Sequence, residues 1–280
     1  MLTLKAALEE ATAAVGRIDA QVLFAHMLGV NRAYLAANPM RVLTESEDAR
    51  ADMMVAQRSM GLPVAYLLGK REFYSRDFAV GPDVLIPRPD TETLVDAALD
   101  VTPDAAIAAT ARGPISILDL GTGSGAIAIT LALELPEASI TATDASPAAL
   151  EIARANAQSL SARVEFRLGS WYEPVAGKRF DLIVSNPPYI AGEDPHLAQG
   201  DLRFEPRTAL TDGSRDGLDS IRAIVAGAGQ HLNPGGSILI EHGYDQAGAV
   251  AALLREAGFA DPISIRDLAG IPRVAGGKMQ

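Results

Sequence analysis

The sequence predicts an α/β fold in which a parallel sheet is covered by helices and preceded by a small helical bundle. From about Pro89 onward, short apolar runs alternate with helical stretches, the order that builds parallel strands joined by crossover helices. Before about Leu68, apolar residues recur instead at spacings of three and four, the period of amphipathic helices. A chain of 280 residues is long enough for two modest domains, each with its own apolar core.

We predict three consecutive regions: a helical domain over residues 1–69, a hairpin or linker over residues 70–88, and an α/β domain over residues 89–280. Glycine and proline residues end the helical runs of the first region, which is typical of a small bundle. Two short aromatic runs, Glu72–Tyr74 and Asp77–Val80, precede a Gly-Pro pair in the second region, and this pattern favours paired short strands or an extended linker.

The α/β domain contains apolar runs of strand length separated by helical stretches or turns. The predicted strands are Ile115–Leu120, Ser139–Thr143, Val164–Leu168, Phe180–Ser185, Ser237–Glu241, Ile263–Arg266 and Arg273–Ala275. The predicted helices include Ala126–Leu135, Pro147–Ser159 and Gly217–Ala228. Residues 191–216 form a long polar connection rich in proline and glycine, and connections of that length are usually lids, binding loops or disordered segments.

Composition excludes several classes of function. The chain has no cysteine, which excludes disulfides, a thiolate nucleophile and cysteine-ligated metals, and its four scattered histidines predict no metal site. A net charge of −11 argues against a broad phosphate-binding surface, because Lys and Arg carry most nucleic-acid affinity. No run approaches the roughly 18 apolar residues of a membrane span and Met1–Lys5 does not resemble a signal peptide, so the expected location is the cytoplasm.

A glycine-rich turn follows the first predicted strand of the sheet and leads into a helix. Gly121, Gly123 and Gly125 let the backbone approach a ligand closely, and the start of the helix offers free N–H groups. Asp144 ends the next strand about 20 residues later, where a carboxylate can accept hydrogen bonds from both ribose hydroxyls of an adenosine. The pattern therefore predicts an adenosine pocket at the carboxyl edge of the sheet.

Two classes of cofactor fit this pocket. Gly121, Gly123 and Ala126 satisfy the G-x-G-x-x-G/A pattern of dinucleotide sites, so an NAD-type oxidoreductase is one interpretation. Asp119 favours the other, because a carboxylate just before the glycines disfavours a pyrophosphate but can engage the ammonium group of S-adenosylmethionine, directly or through water. Asp119 could instead be a strand-end residue that bonds loop N–H groups.

Trp171 is the only tryptophan and lies just beyond the third predicted strand. In this architecture the loop at that point flanks the adenine, so the indole ring or its backbone could cover the base. Packing against the core is the alternative role for a single tryptophan.

The segment Asn186-Pro187-Pro188-Tyr189 closes the fourth predicted strand. Both prolines fix φ near about −65° and donate no hydrogen bond, so the carbonyls of Asn186 and Pro187 stay free to accept one. An amide oxygen, a fixed carbonyl and an aromatic ring around one small space can hold a planar NH2 group. Taken alone, the segment also fits an ordinary turn after a strand.

Two further segments combine polar residues with positions near the same sheet edge. In Ile86–Glu92, Asp90 can cap a helix and Glu92 lies in its favourable first turn. Glu241 and His242 end a later strand, where a histidine is more often structural than catalytic, so we leave them out of the predicted site.

In combination, the glycine loop Asp119–Gly125, Asp144 and the segment Asn186–Tyr189 resemble the Rossmann-like S-adenosylmethionine-dependent methyltransferases that act on planar exocyclic or amide nitrogens. Within that group the chain is most similar to the peptide chain release factor glutamine methyltransferase family. The similarity spans nearly the whole chain, including the helical N-terminal domain. Further matching stretches are Pro63–Gly69, Leu85–Glu92, Glu205–Leu210 and Glu241–Gly243.

The resemblance implies a Rossmann-like, seven-stranded, mostly parallel methyltransferase sheet, with a helical N-terminal domain that helps to dock a protein substrate. It implies a cytoplasmic enzyme that uses S-adenosyl-L-methionine, with S-adenosyl-L-homocysteine as product. The implied substrate is the side-chain amide nitrogen, N5, of the glutamine in the Gly-Gly-Gln motif of class-1 release factors. The segment Ile86–Glu92 would form a wall of the substrate or cofactor pocket.

The predicted site divides into cofactor-binding and substrate-binding residues. The cofactor-binding residues are Asp119, Gly121, Thr122, Gly123, Ser124, Gly125, Asp144, Trp171 and Asn186. The substrate-binding residues are Asn186, Pro187, Pro188 and Tyr189, of which Asn186, Pro187 and Tyr189 are the predicted catalytic residues. Ser170 stands where many members of the family have an acidic residue, so their side-chain hydrogen bond to the adenine amino group is not carried over.

The predicted chemistry needs no strong base. Hydrogen bonds from the substrate amide to the Asn186 side chain and the Pro187 carbonyl would favour the positive charge that develops on the attacking nitrogen. Tyr189 can stack on the flat amide and align its nitrogen with the methyl group.

Three functions remain open at this point: glutamine methylation of a release factor or, alternatively, of a ribosomal protein; adenine-N6 methylation of nucleic acid; and dinucleotide-dependent oxidation. The acidic composition weighs against nucleic acid. We expect a monomer that binds release factors and associates neither with nucleic acid directly nor with a membrane.

Overall fold

The computed structural model describes residues 2–109 and 113–279 and divides the chain into two compact units. The first unit comprises Met1–Lys70 and Gln199–Phe204, and the second comprises Arg71–Ala198 and Glu205–Gln280. The domain boundary after residue 69 stays a prediction, and the short second segment of the first unit is a feature that the sequence did not indicate. Within the described residues, no helix has both the length and the apolar character needed to cross a membrane.

The first unit is helical, as the spacing of its apolar residues predicts. Its α-helices within the described residues are α1 (Leu4–Val15), α2 (Arg17–Leu28), α3 (Arg32–Ala37), α4 (Glu45–Ser59) and α5 (Val64–Leu68). Leu4, Leu23 and Phe24 are buried in the apolar core formed by these helices. Thr44 and Glu47 form a reciprocal capping box that satisfies backbone N–H groups where α4 begins.

A two-stranded sheet follows, formed by β1 (Lys70–Phe73) and β2 (Arg76–Ala79). The two residues that connect these strands have φ of 51° and 60°, the left-handed pair that a tight two-residue hairpin turn requires. Phe73 and Phe78 are buried in the core of the second unit and pack edge to face, with ring centroids 6.0 Å apart. The hairpin therefore contributes apolar surface to the core of the α/β unit.

The main sheet of the second unit has seven strands. They are β3 (Ser116–Leu120), β4 (Ser139–Asp144), β5 (Val164–Leu168), β6 (Phe180–Ser185), β7 (Leu232–Glu241), β8 (Phe259–Arg266) and β9 (Pro272–Met279). Their order across the sheet is β5-β4-β3-β6-β7-β9-β8. β9 runs antiparallel to both of its neighbours, β7 and β8, whereas the other neighbouring pairs are parallel. This arrangement confirms the predicted seven-stranded, mostly parallel sheet.

Helices accompany this sheet, and its strands contribute to two apolar clusters. The helices are α6 (Glu92–Ala109), α7 (Ala126–Glu134), α8 (Pro147–Ser159), α9 (Arg207–Leu210), α10 (Asp219–His231) and α11 (Ala247–Glu256). Ile117 and Leu182 lie in one cluster with Leu94 of α6, while Leu118 lies in the other with Ile221 of α10. Successive residues of a strand point to opposite faces, so both faces of the sheet are buried.

The strand order reverses between β3 and β6, which places two turns side by side. From β3 the chain continues to β4 and β5 on one side, whereas β6 and β7 extend the sheet on the other. Leu120 pairs with Ser185 at the carboxyl ends of β3 and β6. Ligands of open α/β sheets bind at such a switch point, so the topology brings the residues after Leu120 and after Ser185 to one crevice.

Strands β7, β8 and β9 are longer than the sequence pattern predicts. The predicted limits Ser237, Ile263 and Ala275 each lie next to a glycine or a proline, which are poor strand formers. Gly235 has a φ of 76° beside a shift in register between β6 and β7, so it accommodates a bulge inside the strand. A Cβ at Gly276 would lie 2.5 Å from Cδ2 of Leu239, so this glycine permits close approach of β7 and β9.

The long connection over residues 191–216 contains regular structure. It includes short 3-10 helices at Pro195–Ala198 and Gly200–Phe204, followed by α9. The backbone N–H of Ile190 donates to the carbonyl of Leu210 at 3.0 Å, so the end of α9 returns to the start of the connection. This hydrogen bond joins the two ends of the connection, which are not adjacent in the sequence, so the local composition alone predicts only a loop.

Candidate active site

A cavity of about 720 Å³ lies at the switch point of the sheet in the second unit. Predicted site residues that line it are Gly121, Thr122, Gly123, Ser124, Asp144, Trp171, Asn186 and Pro188. Predicted residues outside the lining are Asp119, Gly125, Pro187 and Tyr189. The structure therefore brings both predicted motifs, the glycine loop and the Asn-Pro-Pro-Tyr turn, to one cavity.

The glycine loop is held open by left-handed backbone conformations. Gly121, Gly123 and Gly125 have φ of 74°, 55° and 84°, values that residues with a Cβ rarely adopt. At Gly125 a Cβ would also lie 2.7 Å from Cδ1 of Ile129 and 3.2 Å from Cβ of Ala153. Gly125 does not line the cavity, but because it has no Cβ it allows α7 to begin close behind the loop.

Asp144, at the end of β4, has both carboxylate oxygens fixed by the backbone. Its Oδ2 accepts from the N–H of Gly123 and its Oδ1 from the N–H of Ser146, each at 2.8 Å. Burial raises the pKa of this carboxyl, and the backbone donors oppose that rise. Each oxygen retains a second lone pair, so the oriented carboxylate can still accept hydrogen bonds from a vicinal diol.

Asp119, at the end portion of β3, is fully buried next to the glycine loop. Its Oδ2 accepts from the Thr122 hydroxyl at 2.6 Å, whereas its Oδ1 has no hydrogen-bond partner. Burial raises the pKa of Asp119 to about 7, and the Thr122 hydroxyl opposes the rise. An unpaired buried carboxylate oxygen suits a cationic group bound beside this loop, since it lacks a counter-charge of its own.

Trp171 lies over the glycine loop with a positive φ of 44°. A Cβ at Gly121 would be 3.4 Å from Cζ3 of the indole, so the ring closely covers this glycine. The Trp171 carbonyl accepts from the Thr143 hydroxyl at 3.1 Å, which fixes the backbone of the loop. The ring also packs against the apolar cluster that contains Leu118, so packing and a position in the cavity lining coexist.

The Asn186 side chain lies at the cavity with its two polar atoms in different environments. Its Nδ2 donates to the Thr91 hydroxyl at 3.1 Å, while no described residue donates to its Oδ1. Pro187 is buried behind it, and no backbone N–H of the described residues donates to the Pro187 carbonyl. Neither oxygen therefore has a hydrogen-bond partner among the described residues, but only Asn186 lines the cavity.

Tyr189 does not lie in the cavity lining. Its hydroxyl donates to Oε1 of Glu241 at 3.1 Å, and burial together with this carboxylate raises the pKa of the phenol. Its carbonyl accepts from Nε2 of Gln246 at 2.9 Å, which holds the turn from the other side. The stacking of Tyr189 on a substrate amide stays a prediction, while the observed ring anchors the turn to the end of β7.

The segment Ile86–Glu92, which the resemblance placed in a pocket wall, contributes to the lining through an ion pair that the sequence did not predict. Arg88 lines the cavity and pairs with the carboxylate of Glu205, whose side chain has no solvent exposure. Glu205 also accepts from the N–H of Ile86 at 2.9 Å. This pair joins the segment before α6 to the segment before α9. Both segments belong to stretches, Leu85–Glu92 and Glu205–Leu210, that carry the resemblance described above.

Thr91 lines the cavity within Ile86–Glu92, the segment that the resemblance placed in a pocket wall, but neither Thr91 nor Glu241 was predicted as an individual site residue. Both are almost completely buried, and each contacts the Asn-Pro-Pro-Tyr turn from a distant part of the chain. The available signal was their membership of matching stretches, Leu85–Glu92 and Glu241–Gly243, because neither local spacing nor composition marks them. Among the described residues, no cluster of three or more His, Asp or Glu side chains could hold a metal ion.

The arrangement can bind an adenosine-type cofactor and a planar amide in adjacent places. The glycine loop offers a close backbone surface, Asp144 offers acceptors for a diol, and the unpaired oxygen of Asp119 suits a cation. Asn186 offers an acceptor in the lining at the next turn along the sheet edge, and the carbonyl of the adjacent, buried Pro187 has no hydrogen-bond partner among the described residues. These features fit S-adenosylmethionine better than a pyrophosphate-bearing dinucleotide, because Asp119 is acidic and has no basic partner.

Comparisons with known proteins agree with these features over nearly the whole chain. Residues 3–69 match the family model for the PrmC N-terminal domain, and residues 105–203 match the model for the methyltransferase small domain. The release factor glutamine methyltransferase of Bordetella pertussis is 53% identical over 262 residues, covering 93% of this chain and 94% of that protein. The enzyme of the same name from Burkholderia pseudomallei is 49% identical over 269 residues, covering 94% and 92%.

Solved structures support the fold. A 16S rRNA N2 G1207 methyltransferase from T. thermophilus, in complex with AdoMet and guanosine, superposes with a TM-score of 0.55 at 18% identity. The match covers 75% of this chain and 50% of that protein. At this level of identity the similarity concerns the architecture of the sheet and its helices.

Proposed function

This chain belongs to the release factor glutamine methyltransferase family, and on that basis we propose that it methylates the N5 amide nitrogen of the glutamine in the Gly-Gly-Gln motif of class-1 release factors. The methyl donor is S-adenosylmethionine. Full-length similarity supports the proposal, because it includes the N-terminal helices as well as the methyltransferase sheet.

The cofactor residues have separable roles in this proposal. S-adenosylmethionine, when bound, supplies an electrophilic methyl group on a sulfonium centre. Gly121 and Gly123 leave room along the backbone, Asp144 accepts from the ribose hydroxyls, and Trp171 covers the base. Asp119 would offer its unpaired Oδ1 to the ammonium group, through water because the side chain does not reach the cavity lining.

The substrate amide is bound by acceptors. An amide nitrogen is a poor nucleophile, since its lone pair is delocalised into the carbonyl group. Oδ1 of Asn186 and the carbonyl of Pro187 would take one hydrogen bond from each N–H, which stabilises the positive charge that develops as nitrogen attacks. The free Oδ1 of Asn186 at the cavity is the observation that carries this part of the proposal.

Proton removal needs no strong base at this site. Within the described residues, the cavity lining contains no histidine, lysine or glutamate. The lining aspartates are Asp83, Asp144 and Asp212. Asp144 already accepts from two backbone N–H groups, and hydrogen bonds from Ser214 and Ser220 lower the pKa of Asp212 and weaken it as a base. The proton can therefore leave to water after methyl transfer, when the nitrogen has become strongly acidic.

A labelling experiment tests the proposal. The protein is incubated with S-adenosylmethionine carrying a labelled methyl group and with a release factor, the same factor with its motif glutamine changed to alanine, ribosomal proteins, or duplex DNA. We expect label only on the intact release factor, at the glutamine side chain. Label on a ribosomal-protein glutamine or on adenine would support one of the two alternatives instead.

Three further properties are proposals of the same kind. The helical residues 1–69 would dock the release factor, the protein would act as a monomer in the cytoplasm, and it would make no direct contact with nucleic acid. The net charge of −11 supports the last of these, because a phosphate-binding surface needs an excess of Lys and Arg. Light scattering with and without a release factor would report the stoichiometry directly.

A further inference from the structure

Arg88 is the one basic side chain among the described residues that line the cavity. The other charged side chains of that lining are Asp83, Asp144 and Asp212, all acidic. An acidic lining suits the sulfonium and ammonium groups of S-adenosylmethionine. The same cofactor also carries a carboxylate, which has to leave water beside these acids and therefore needs a hydrogen-bond donor of its own.

The guanidinium of Arg88 is held in place by a buried carboxylate. Its Nη2 donates to Oε1 of Glu205, whose side chain has no solvent exposure. Oε2 of Glu205 accepts from the N–H of Ile86 at 2.9 Å, so both oxygens of this carboxylate have a partner. Because Glu205 is fixed in this way, the guanidinium that donates to it is fixed as well.

Arg88 keeps donors for a ligand. A guanidinium carries N–H groups on Nε, Nη1 and Nη2, and among the described residues only Nη2 has an acceptor. The side chain is 32% exposed and lines the cavity, so the remaining N–H groups are accessible. A guanidinium can bind a carboxylate through two parallel hydrogen bonds, which single hydroxyl donors cannot do.

Arg88 also lies near the residue that is proposed to hold the substrate amide. Its carbonyl accepts from the N–H of Thr91 at 3.1 Å, and the Thr91 hydroxyl accepts from Nδ2 of Asn186 at 3.1 Å. Methyl transfer to an amide held by Asn186 requires the sulfonium on this side of the cavity. In S-adenosylmethionine a short methylene chain joins the sulfur to the amino-acid carboxylate, so that carboxylate belongs on the same side.

We propose that Arg88 binds the carboxylate of S-adenosylmethionine and that Glu205 is the positioning residue that orients Arg88 for it. The inference rests on the proposed function for the place of the amide, but its test needs no release factor.

Calorimetry with two ligands tests the assignment on the unmodified protein. The ligands are S-adenosylhomocysteine and its decarboxylated analogue, which keeps the adenosine, the sulfur and the amine. We expect S-adenosylhomocysteine to bind about 10-fold to 100-fold more tightly, the difference expected for hydrogen bonds between charged groups. Equal affinities of the two ligands would overturn the inference.

A double variant tests whether Arg88 is the cause of that preference. Removing Arg88 alone would leave Glu205 as a buried carboxylate without its cation, which strongly destabilises a fold. Arg88→Met combined with Glu205→Gln removes both charges, and this protein should bind the two ligands with nearly equal affinity. Arg88→Lys keeps the charge without the planar fork and should keep only part of the preference.

Arg76→Met combined with Glu134→Gln is the matched control. It removes another ion pair of the second unit, in which Nη2 of Arg76 lies 2.6 Å from Oε1 of Glu134, and neither residue lines the cavity. This variant should keep the full preference for S-adenosylhomocysteine. Thermal unfolding of each variant shows that it is folded when its affinity is measured.

The outcomes separate this inference from the proposed function. A full preference in the Arg88→Met, Glu205→Gln protein would overturn the inference, and so would a full preference in Arg88→Lys if the double variant does not fold. Unchanged ligand affinities with a raised KM for the release factor would overturn it too, since Arg88 would then bind the protein substrate. Absence of label on the release factor, from a protein with the expected ligand preference, would contradict only the proposed function.

Discussion

Asn186 is the residue on which methyl transfer to an amide depends most directly. Its Oδ1 is free at the cavity while its Nδ2 is held by Thr91. We predict that Asn186→Ala lowers kcat by about 10² or more, because it removes an acceptor that stabilises charge in the transition state. Cofactor affinity should change little. Single-turnover transfer from labelled S-adenosylmethionine to a release factor measures this effect separately from substrate binding.

Asn156 provides a structural comparison for that variant. It is 2% exposed, and its Nδ2 donates to the carbonyls of Ala79 and Ser124 at 3.0 and 2.9 Å. Asn156→Ala leaves the buried carbonyl of Ser124 unpaired and should lower the free energy of unfolding by about 1–3 kcal/mol. If Asn186→Ala lost stability to the same degree, or kept the kcat of the unmodified protein, its catalytic assignment would be wrong.

Asp144 should control cofactor affinity rather than the methyl-transfer step. Its carboxylate is fixed by Gly123 and Ser146, so its remaining lone pairs face the cavity in a set orientation. We predict that Asp144→Ala weakens S-adenosylmethionine binding by about 10-fold to 100-fold, the loss expected for hydrogen bonds to a charged acceptor. Asp144→Asn keeps one acceptor oxygen and should fall between the two. Calorimetry showing equal affinity for all three proteins would contradict the assignment.

At the scale of elements, the glycine loop joins β3 to α7 through a conformation that only glycine adopts easily. Gly125 has φ of 84°, and a Cβ would contact Ile129 and Ala153. We predict that Gly125→Ala lowers the free energy of unfolding by about 1–3 kcal/mol and weakens cofactor binding, because α7 must move away from the loop. Urea unfolding and calorimetry measure the two effects.

Gly177 is the control for left-handed strain without crowding. It has φ of 75°, and a Cβ there would meet no atom within 4 Å. Gly177→Ala should therefore lose about 1 kcal/mol and leave cofactor binding unchanged. Equal effects of the two alanine variants on cofactor binding would mean that the close packing behind Gly125 is unimportant for the loop.

The sequence predicted those elements whose evidence is contiguous along the chain. Strand β3 with its glycine turn, and strand β6 with the turn at Asn186, each carry apolar residues and turn formers within one short window. Parallel pairing of the two strands then brings both turns together without further information. The helical first unit follows in the same way from apolar spacing.

Residues that support the site from a distance could not be predicted by this route. Thr91 lies 95 residues from Asn186, and Glu205 lies 119 residues from the Ile86 N–H that it accepts. Such contacts depend on how segments pack after the sheet has formed, and no local pattern records them. For the same reason the sequence shows that Tyr189 follows two prolines, but not that its hydroxyl meets Glu241.

At the scale of the whole molecule, the acidic groups fall into two classes. Ion pairs or hydrogen bonds near the surface lower the pKa of Glu47 and Asp216 to about 2, chiefly through Arg41 and Arg222 respectively. These groups stabilise the fold above their usual pKa, and that contribution is lost only as pH falls toward about 2. Burial without a full counter-charge has the opposite effect: it raises the pKa of Asp119 and of Glu241, which ends β7.

Asp119 and Glu241 should make the free protein less stable as pH rises. Burial raises the pKa of both to about 7, so between about pH 4 and pH 7 the folded protein binds protons that the unfolded chain has released. Both groups therefore contribute their full stabilisation below about pH 4, and this contribution is lost as pH rises through about 7. Over that range each group lowers the free energy of unfolding by up to about 1.4 kcal/mol per pH unit. His242 acts oppositely, because burial lowers its pKa and protonation at acid pH costs stability.

The prediction is a difference between variants, in which the contribution of His242 cancels. We expect Asp119→Asn to be more stable than the unmodified protein at pH 8, and the gap to shrink as pH falls to 5, where the native carboxyl is already protonated. Urea unfolding without cofactor at pH 5, 6, 7 and 8 measures the gap. Saturating S-adenosylmethionine should reduce it, since an ammonium group near Asp119 favours the ionised carboxylate. A gap that is independent of pH would mean that Asp119 is ionised throughout, and that the unpaired Oδ1 meets a counter-charge before any cofactor binds.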